Sequence, residues 1–397
     1  MSPANRFRAL CYAIEGINSF AVAFFFGYLF FFFRDRYGFN DRQNLLLAAL
    51  AGLVYSVAAW QAGRFAQRRG CFTALKFGFG VMAASLALGW CWHSVAGEIT
   101  AACLVNAGVC FIWPSLEALV SEGDAPEHVP HAVGLYNITW AVTNAAAFFI
   151  GGTLIKRLGY DGLFGLPLAL MLVQFGMTFW LEKIHPLPPP ASAGAAHFEI
   201  LPPLIAARAR NFQRLAWLAN PSAYIAINTL IAVLPGIALK FHLSTMQAGF
   251  ALTIWCFVRF FTFIALWRWT AWHYRFRWLA ISFALLIFSF VTILVAPNLA
   301  MVLLAQTIFG MSIGLIYYSS LFYSMDASET KGEQAGIHEA AIGLGNCLGP
   351  AMGATALWLA PTDPSIGAWA VSGLLSLGFA GLCWVRSSSR THENVKV

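Results

Sequence analysis

The sequence predicts an all-α integral membrane protein, with about twelve transmembrane helices arranged as two pseudo-symmetric six-helix bundles. Three observations predict it: the composition, a series of long apolar runs, and a likeness between the two halves of the chain. The 397 residues have a mean hydropathy of +0.68, and 10% of them are charged. Soluble proteins have about 25% charged residues. Lipid is therefore expected to be the solvent for most of the surface.

Apolar runs account for most of the chain. A transmembrane helix needs roughly 20 mainly apolar residues. Such runs lie at 10–33, 43–62, 73–92, 97–120, 132–155, 162–182, 218–239, 246–266, 278–296, 298–323, 335–359 and 364–385. The first run is longer than the apolar part of a signal peptide, and no clear cleavage site follows it, so it is expected to be the first span.

The longest connection between spans is rich in proline and small residues, as linkers often are. It divides six runs from six. We expect an N-terminal bundle over 1–182, a cytoplasmic linker over 183–217, a C-terminal bundle over 218–386 and a cytoplasmic tail over 387–397.

Lysine and arginine predict the orientation. With both termini inside, 17 of the 24 lie in cytoplasmic segments and 6 in outer loops, while Arg259 lies within a span. Cytoplasmic loops of membrane proteins carry this excess of basic residues. We therefore expect a multi-pass protein of the plasma (inner) membrane with cytoplasmic termini. The net charge of +7 follows from this topology and does not indicate a nucleic-acid partner.

The two halves show a weak internal repeat. Three pairs of segments match in order and spacing: 37–43 with 241–247, 113–122 with 317–326, and 134–144 with 336–346. Repeated halves are typical of transporters, in which the substrate site lies between the repeats.

The loop after the second run reads Gly63-Arg64-Phe65-Ala66-Gln67-Arg68-Arg69-Gly70-Cys71-Phe72. It resembles the G-x-x-x-D-R-x-G-R/K-R/K loop of the major facilitator superfamily through Gly63, Arg68 and Gly70. Gln67 replaces the aspartate, and Cys71-Phe72 replaces the basic pair. The resemblance implies a twelve-helix transporter that works by alternating access, in which this loop helps to latch the two halves; the changes imply a weaker or different latch.

Two further motifs of that family are missing. Leu104 occupies the place of the span-four arginine that often relays protons, and residues 147–152 lack the Gly-Pro of many antiporters. A multidrug efflux antiporter is therefore the less favoured alternative to a transporter of a small organic solute.

Ionisable residues inside spans are functional candidates because a charge at mid-bilayer is costly, about 2.5–3.5 kcal/mol on insertion scales. Glu339 is the foremost candidate for a proton-coupling residue, followed by His338 and Glu15. Glu15 and Glu117 are both close to span ends, where a solvated or headgroup position would also explain them. Arg259, near the middle of its span, is expected either to pair with a carboxylate such as Glu339 or to bind an anionic substrate.

Polar and aromatic residues in the spans are candidates for the substrate cavity. In span eleven, Glu339, Gly343, Asn346 and Pro350 share one helical face, beside a stripe of small residues suited to helix packing. The cavity candidates are Asn18, Trp113, Asn137, Trp140, Asn144, Arg259, Tyr317, Tyr318 and Asn346. The amides could instead be hydrogen-bonding residues between helices.

These features favour a secondary transporter, driven by protons and acting as a monomer on a small-molecule substrate. A non-transporting sensor or scaffold of the same fold is a second alternative. The eight cysteines are scattered without a C-x-x-C motif, so neither a metal site nor a cofactor is expected. No nucleophile motif or H-E-x-x-H is present, so an enzyme is not expected either.

Overall fold

The computed structural model describes the backbone of residues 3–122, 129–185, 203–326 and 331–395, and the side chains of residues 5–122, 131–185, 208–323 and 339–388. In these ranges the chain forms fourteen α-helices and no strand. The helices are α1 (Pro3–Tyr37), α2 (Asp41–Arg69), α3 (Cys71–Cys91), α4 (Val95–Val109), α5 (Trp113–Val120), α6 (Val129–Leu158), α7 (Asp161–Lys183), α8 (Pro203–Lys240), α9 (Thr245–Ala251), α10 (Ile254–Arg268), α11 (Phe276–Val295), α12 (Leu299–Asp326), α13 (Lys331–Leu359) and α14 (Ile366–Val395).

Twelve segments of the described chain are long and apolar enough to cross a membrane. Each coincides with one of the predicted runs, so the predicted fold class is confirmed. Helices α4 and α5 together form the fourth span, and α9 and α10 together form the eighth.

The fourth span is interrupted between α4 and α5. Pro114 lies in the first turn of α5, where its missing N–H removes no helical hydrogen bond. Tighter bonds bridge the break, from the Phe111 and Ile112 N–H groups to the carbonyls of Gly108 and Val109. The turn places Trp113 and Glu117 on a short helix of their own.

The internal repeat is visible at the start of the second and eighth spans. Asn40 and Ser244 each cap a helix through a reciprocal capping box with Gln43 and Gln247 respectively. Such a box satisfies backbone N–H groups at a helix start. Two residues before each cap the chain has a positive φ, 70° at Gly38 and 53° at His242.

The N-terminal bundle (α1–α7) and the C-terminal bundle (α8–α14) meet mainly along two contacts, with smaller ones between α8 and both α1 and α2 and between α5 and α13. Helix α2 packs on α13, and α6 packs on α9 and α10. Close approach in the first contact depends on glycine: a Cβ added to Gly52 would lie 2.4 Å from the Asn346 carbonyl carbon, and one added to Gly343 would lie 2.6 Å from the Ser56 Cα. Small residues allow such approach in membrane helices.

The expected linker is partly helical. Helix α8 begins at Pro203, well before the predicted span at 218–239. Proline suits the first turn of a helix, and the following residues include leucine, alanine and arginine, which favour helix even where they are too polar to cross a membrane. Residues 186–202 of the linker lie outside the described residues.

Candidate functional site

Glu339 on α13 connects the two bundles. It is partly buried and accepts a hydrogen bond from the Tyr55 hydroxyl of α2. At the next residue of each helix, the Ser56 hydroxyl donates to the Ala340 carbonyl over 3.0 Å. The predicted polar face of α13 therefore contacts the opposite bundle, while Gly345 and Gly349 on the neighbouring stripe pack against α8 of the same bundle.

Two further carboxylates, Glu15 and Glu117, lie in the N-terminal bundle. Glu15 on α1 is fully buried and accepts hydrogen bonds from the Ser19 hydroxyl at 2.5 Å and the Tyr136 hydroxyl at 2.7 Å. Glu117 on α5 is partly buried and lies within electrostatic range of both Glu15 and Glu339. The three acids thus form a series from α1 through α5 to α13.

Arg259 on α10 is 4% exposed and reaches the opposite bundle. Its Nη2 donates to the Asn144 Oδ1 of α6 over 2.8 Å. Its guanidinium carbon lies 4.4 Å from the ring centroid of Trp140 and 5.2 Å from that of Trp255. Cation–π contacts of this kind are worth about 2 kcal/mol or more when desolvated.

An aromatic stack lies beside Arg259. The ring of Tyr317 on α12 is nearly parallel to those of Trp140 and Phe263, with centroids 5.3 Å and 5.7 Å away. The Tyr317 hydroxyl donates to the Asn137 Oδ1 over 3.2 Å. Both the stack and this hydrogen bond join α6 of one bundle to the C-terminal bundle.

Several buried polar atoms near these groups lack a partner among the described residues. Both amide atoms of Asn18 and the Nε of Arg259 are buried and unpaired, whereas the indole N–H of Trp113 lies within reach of the Glu15 carboxylate. The Trp113 carbonyl oxygen is 3.4 Å from the Tyr136 hydroxyl that binds Glu15. Since burial of an unpaired amide is costly, Asn18 is a site where a ligand or water would gain a hydrogen bond.

Two of the remaining predicted residues have side-chain contacts within the C-terminal bundle, and one lies outside the described part. Asn346 accepts a hydrogen bond from Asn228 of α8, and Tyr318 packs against Phe263 and Trp272, with centroids 5.7 Å and 5.9 Å away. The side chain of His338 lies outside the described residues.

The loop at 63–72 forms a sharp junction between two helices. Gly63 and Arg68 lie on α2, and Gly70 caps the end of that helix with a φ of +83°. This left-handed backbone region favours glycine. The Arg68 side chain is exposed.

The Arg259–Glu339 ion pair expected from the sequence is not formed in this conformation. Ion pairs within 4.0 Å in the described chain are those of Arg34 with Asp41, Lys76 with Glu182, His93 with Glu98 and His185 with Glu122. The physical reason is direction: Arg259 faces α6, whereas Glu339 faces α2.

Comparison with known proteins agrees with this architecture. The family model of the Major Facilitator Superfamily matches residues 9–350. The chain belongs to this superfamily. A search of curated protein sequences finds no significant match.

Solved structures of facilitator transporters superpose over nearly the whole chain, each with 15% identity. A bacterial homologue of the human lysosomal transporter Spinster, inward-facing, has a TM-score of 0.68 and covers 98% of this chain and 96% of its own. A bacterial homologue of the human drug peptide transporters PepT1 and PepT2 has a TM-score of 0.69, with 98% of each chain covered. The human organic anion transporter MFSD10 has a TM-score of 0.65, with 96% and 100% covered. At this identity they show the fold alone.

Sequence reasoning missed the partners of the predicted residues. Tyr55, Tyr136 and Tyr224 are hydroxyl-bearing residues in apolar spans, and this feature was the available signal. Tyr55 binds Glu339, Tyr136 binds Glu15, and Tyr224 lies within electrostatic range of both Glu339 and Arg259. None of them stands out by sequence spacing, because their partners lie on distant helices.

Proposed function

We propose that this facilitator is a secondary active transporter that moves a small organic solute by alternating access, coupled to protons. The observation that carries the proposal is the hydrogen bond from Tyr55 to Glu339. It joins a titratable acid to the opposite bundle at the α2–α13 contact. A change in the charge of Glu339 therefore acts directly on a contact that must rearrange when the bundles move.

Protonation would change the strength of that contact. A hydrogen bond to a carboxylate is roughly twice as strong as one between neutral groups. Loss of the negative charge would weaken the Tyr55 bond and would lower the cost of burying Glu339 in a low-dielectric interior. Proton uptake and movement of the bundles are thus linked through one side chain.

The series Glu15, Glu117 and Glu339 supports the proton assignment. Like charges in one buried region disfavour simultaneous ionisation. Within the described residues, no lysine or arginine lies within 4.0 Å of any of these acids. Protons are the simplest compensation, and neighbouring acids provide a route by which a proton could pass between the bundles.

The second inter-bundle contact would respond to the solute. The Asn144–Arg259 bond and the Trp140–Tyr317 stack both join the two bundles between α6 and the C-terminal helices. A solute that binds beside them would therefore contact both bundles at once. We further propose the orientation inferred from the basic residues, with both termini on the cytoplasmic side of the plasma (inner) membrane.

Proteoliposomes that contain a pH-sensitive dye test the proposal. Sugars, nucleosides, organic anions and cationic drugs are added in turn, and a transported solute should change the internal pH. The Glu339→Gln variant should then lose uphill accumulation driven by a pH gradient but retain exchange of labelled for unlabelled solute. The amide resembles the protonated acid in shape and cannot titrate.

The matched control is Asp363→Asn, which removes a carboxylate in the loop before α14 whose partner is Ser365. This variant should behave as the wild type. Full accumulation by Glu339→Gln would overturn the proton-coupling role. Movement of a solute without any proton movement would overturn proton coupling altogether.

A further inference from the structure

Arg259 has a buried charge that the described residues do not neutralise. From this feature we propose that the transported solute is a singly charged organic carboxylate with an apolar body, whose carboxylate group binds Arg259. The inference rests on the proposed transport function and adds the chemical class of the substrate.

The hydrogen-bonding capacity of Arg259 is largely unused. A guanidinium has five N–H donors. Among the described residues it makes one hydrogen bond, to Asn144, and its buried Nε has no partner. The contacts with Trp140 and Trp255 are made to aromatic rings, which have no oxygen acceptor for a strong hydrogen bond. Donors therefore remain for a ligand that accepts two hydrogen bonds side by side.

The charge is also unpaired. Arginine cannot shed its proton in a protein, and no carboxylate of the described chain lies within 4.0 Å of Arg259. Glu339, the acid expected to pair with it, is bound to Tyr55 on the other inter-bundle contact. An anion supplied by the solute would neutralise the charge and accept the unused donors, and carboxylates match the guanidinium fork.

A single negative charge fits this region best. In the part of the chain that the structure describes, Arg259 is the only lysine or arginine in contact with Asn144, Trp140 or Trp255. The other neighbours of the stack are neutral: Tyr317 and Asn137 are hydrogen-bonded to each other. A dianion would bring a second charge without a partner, which is costly in a buried site.

The aromatic surroundings of Arg259 favour a solute with an apolar body. A nearly parallel stack lies beside Arg259, made of the rings of Trp140, Tyr317 and Phe263, with centroids 5.3–6.3 Å apart. The ring centroid of Tyr224 lies 6.4 Å from that of Tyr317. Aromatic rings of this kind favour apolar or aromatic groups, and their polar ends supply hydrogen bonds. A benzoate-like acid has both features.

The test measures binding, so it does not depend on transport. The purified full chain is heated with benzoate or phenylacetate, and with benzamide and benzylamine as neutral and cationic analogues. Ligands that bind the folded state raise the unfolding temperature. A carboxylate should stabilise the wild type, and its two analogues should not. Arg268→Gln, which removes an exposed arginine at the end of the same helix, should bind like the wild type.

Arg259→Gln should weaken carboxylate binding about 10- to 100-fold, since hydrogen bonds to charged groups are lost. If that variant does not fold, Arg259→Lys replaces it; the charge remains but the fork is lost, and binding should weaken measurably.

Equal stabilisation by benzamide or benzylamine, no stabilisation of the wild type by either acid, or unchanged binding by the Arg259 variants would overturn the proposal. Carboxylate binding without proton movement in proteoliposomes would instead contradict the proposed coupling and leave this inference standing.

Discussion

Replacement of Gly345 by alanine should destabilise the C-terminal bundle through one backbone contact. Helix α13 packs on α8 at this point. An added Cβ would lie 2.3 Å from the Pro221 carbonyl oxygen and 3.1 Å from the Tyr224 Cβ. Ordinary contacts begin near 3.4 Å, so the two helices would have to separate locally by about 1 Å. A backbone carbonyl cannot turn aside as a flexible side chain can.

The magnitude follows from a comparison with Gly373 on α14, where an added Cβ meets no atom within 4 Å. Both substitutions gain the same helix propensity, about 1 kcal/mol from glycine to alanine. Overpacking of a close contact costs about 1–3 kcal/mol. The propensity gain cancels between the two variants, so Gly345→Ala should be about 1–3 kcal/mol less stable than Gly373→Ala.

Equilibrium unfolding of both purified variants in the same detergent measures this difference, with loss of helical signal as the readout. Heating alone is less informative because membrane proteins often unfold irreversibly, so that the midpoint depends on the scan rate. Equal stability of the two variants would refute the reasoning, because it would mean that α13 and α8 do not approach as closely as the structure places them.

Three further predictions concern the contacts between bundles and the topology. Tyr55→Phe removes the hydroxyl that binds Glu339, and the lost hydrogen bond is worth about 1.5–3 kcal/mol when the acid is charged. The variant should shift the distances between spin labels on α2 and α13. An unchanged distance distribution would contradict this prediction. Asn144→Asp should place a carboxylate against Arg259 and raise the thermal stability of the protein. Because this carboxylate takes the place of the solute's, benzoate should no longer stabilise the variant, and retained benzoate binding would count against the prediction. With Ala195→Cys in a cysteine-free chain, impermeant thiol reagents should fail to label intact cells, and ready labelling would reverse the proposed orientation.

Much of the fold could be predicted because its signals are local. A run of about 20 apolar residues must satisfy its own backbone in lipid, and a helix does so within the run. The repeat before the second and eighth spans was readable for the same reason, since a capping box joins residues only three apart, as at Asn40 and Ser244. The helical start of α8 at Pro203 was missed because hydropathy detects spans and not polar helix.

For the candidate site, the sequence indicated the ionisable residues but not their partners. Glu339 and Arg259 were singled out because ionisable residues in lipid are costly, but their expected pairing was not formed. Their partners depend on which helices meet: the Tyr55 that binds Glu339 is 284 residues away along the chain, and the Asn144 that binds Arg259 is 115 residues away.

The sequence by itself therefore determined the solvent, the number of spans, the division into two related halves and the residues whose burial needs an explanation. Only the tertiary structure decided that Glu339 meets Tyr55 across α2 and α13, while Arg259 meets Asn144 and Trp140 across α6 and α10. The physical reason is range. Hydropathy and capping are set by neighbours along the chain. The partner of a buried charge depends instead on which faces the packed helices turn toward each other. Small residues such as Gly52 and Gly343 contribute to this packing because they let the helices approach closely.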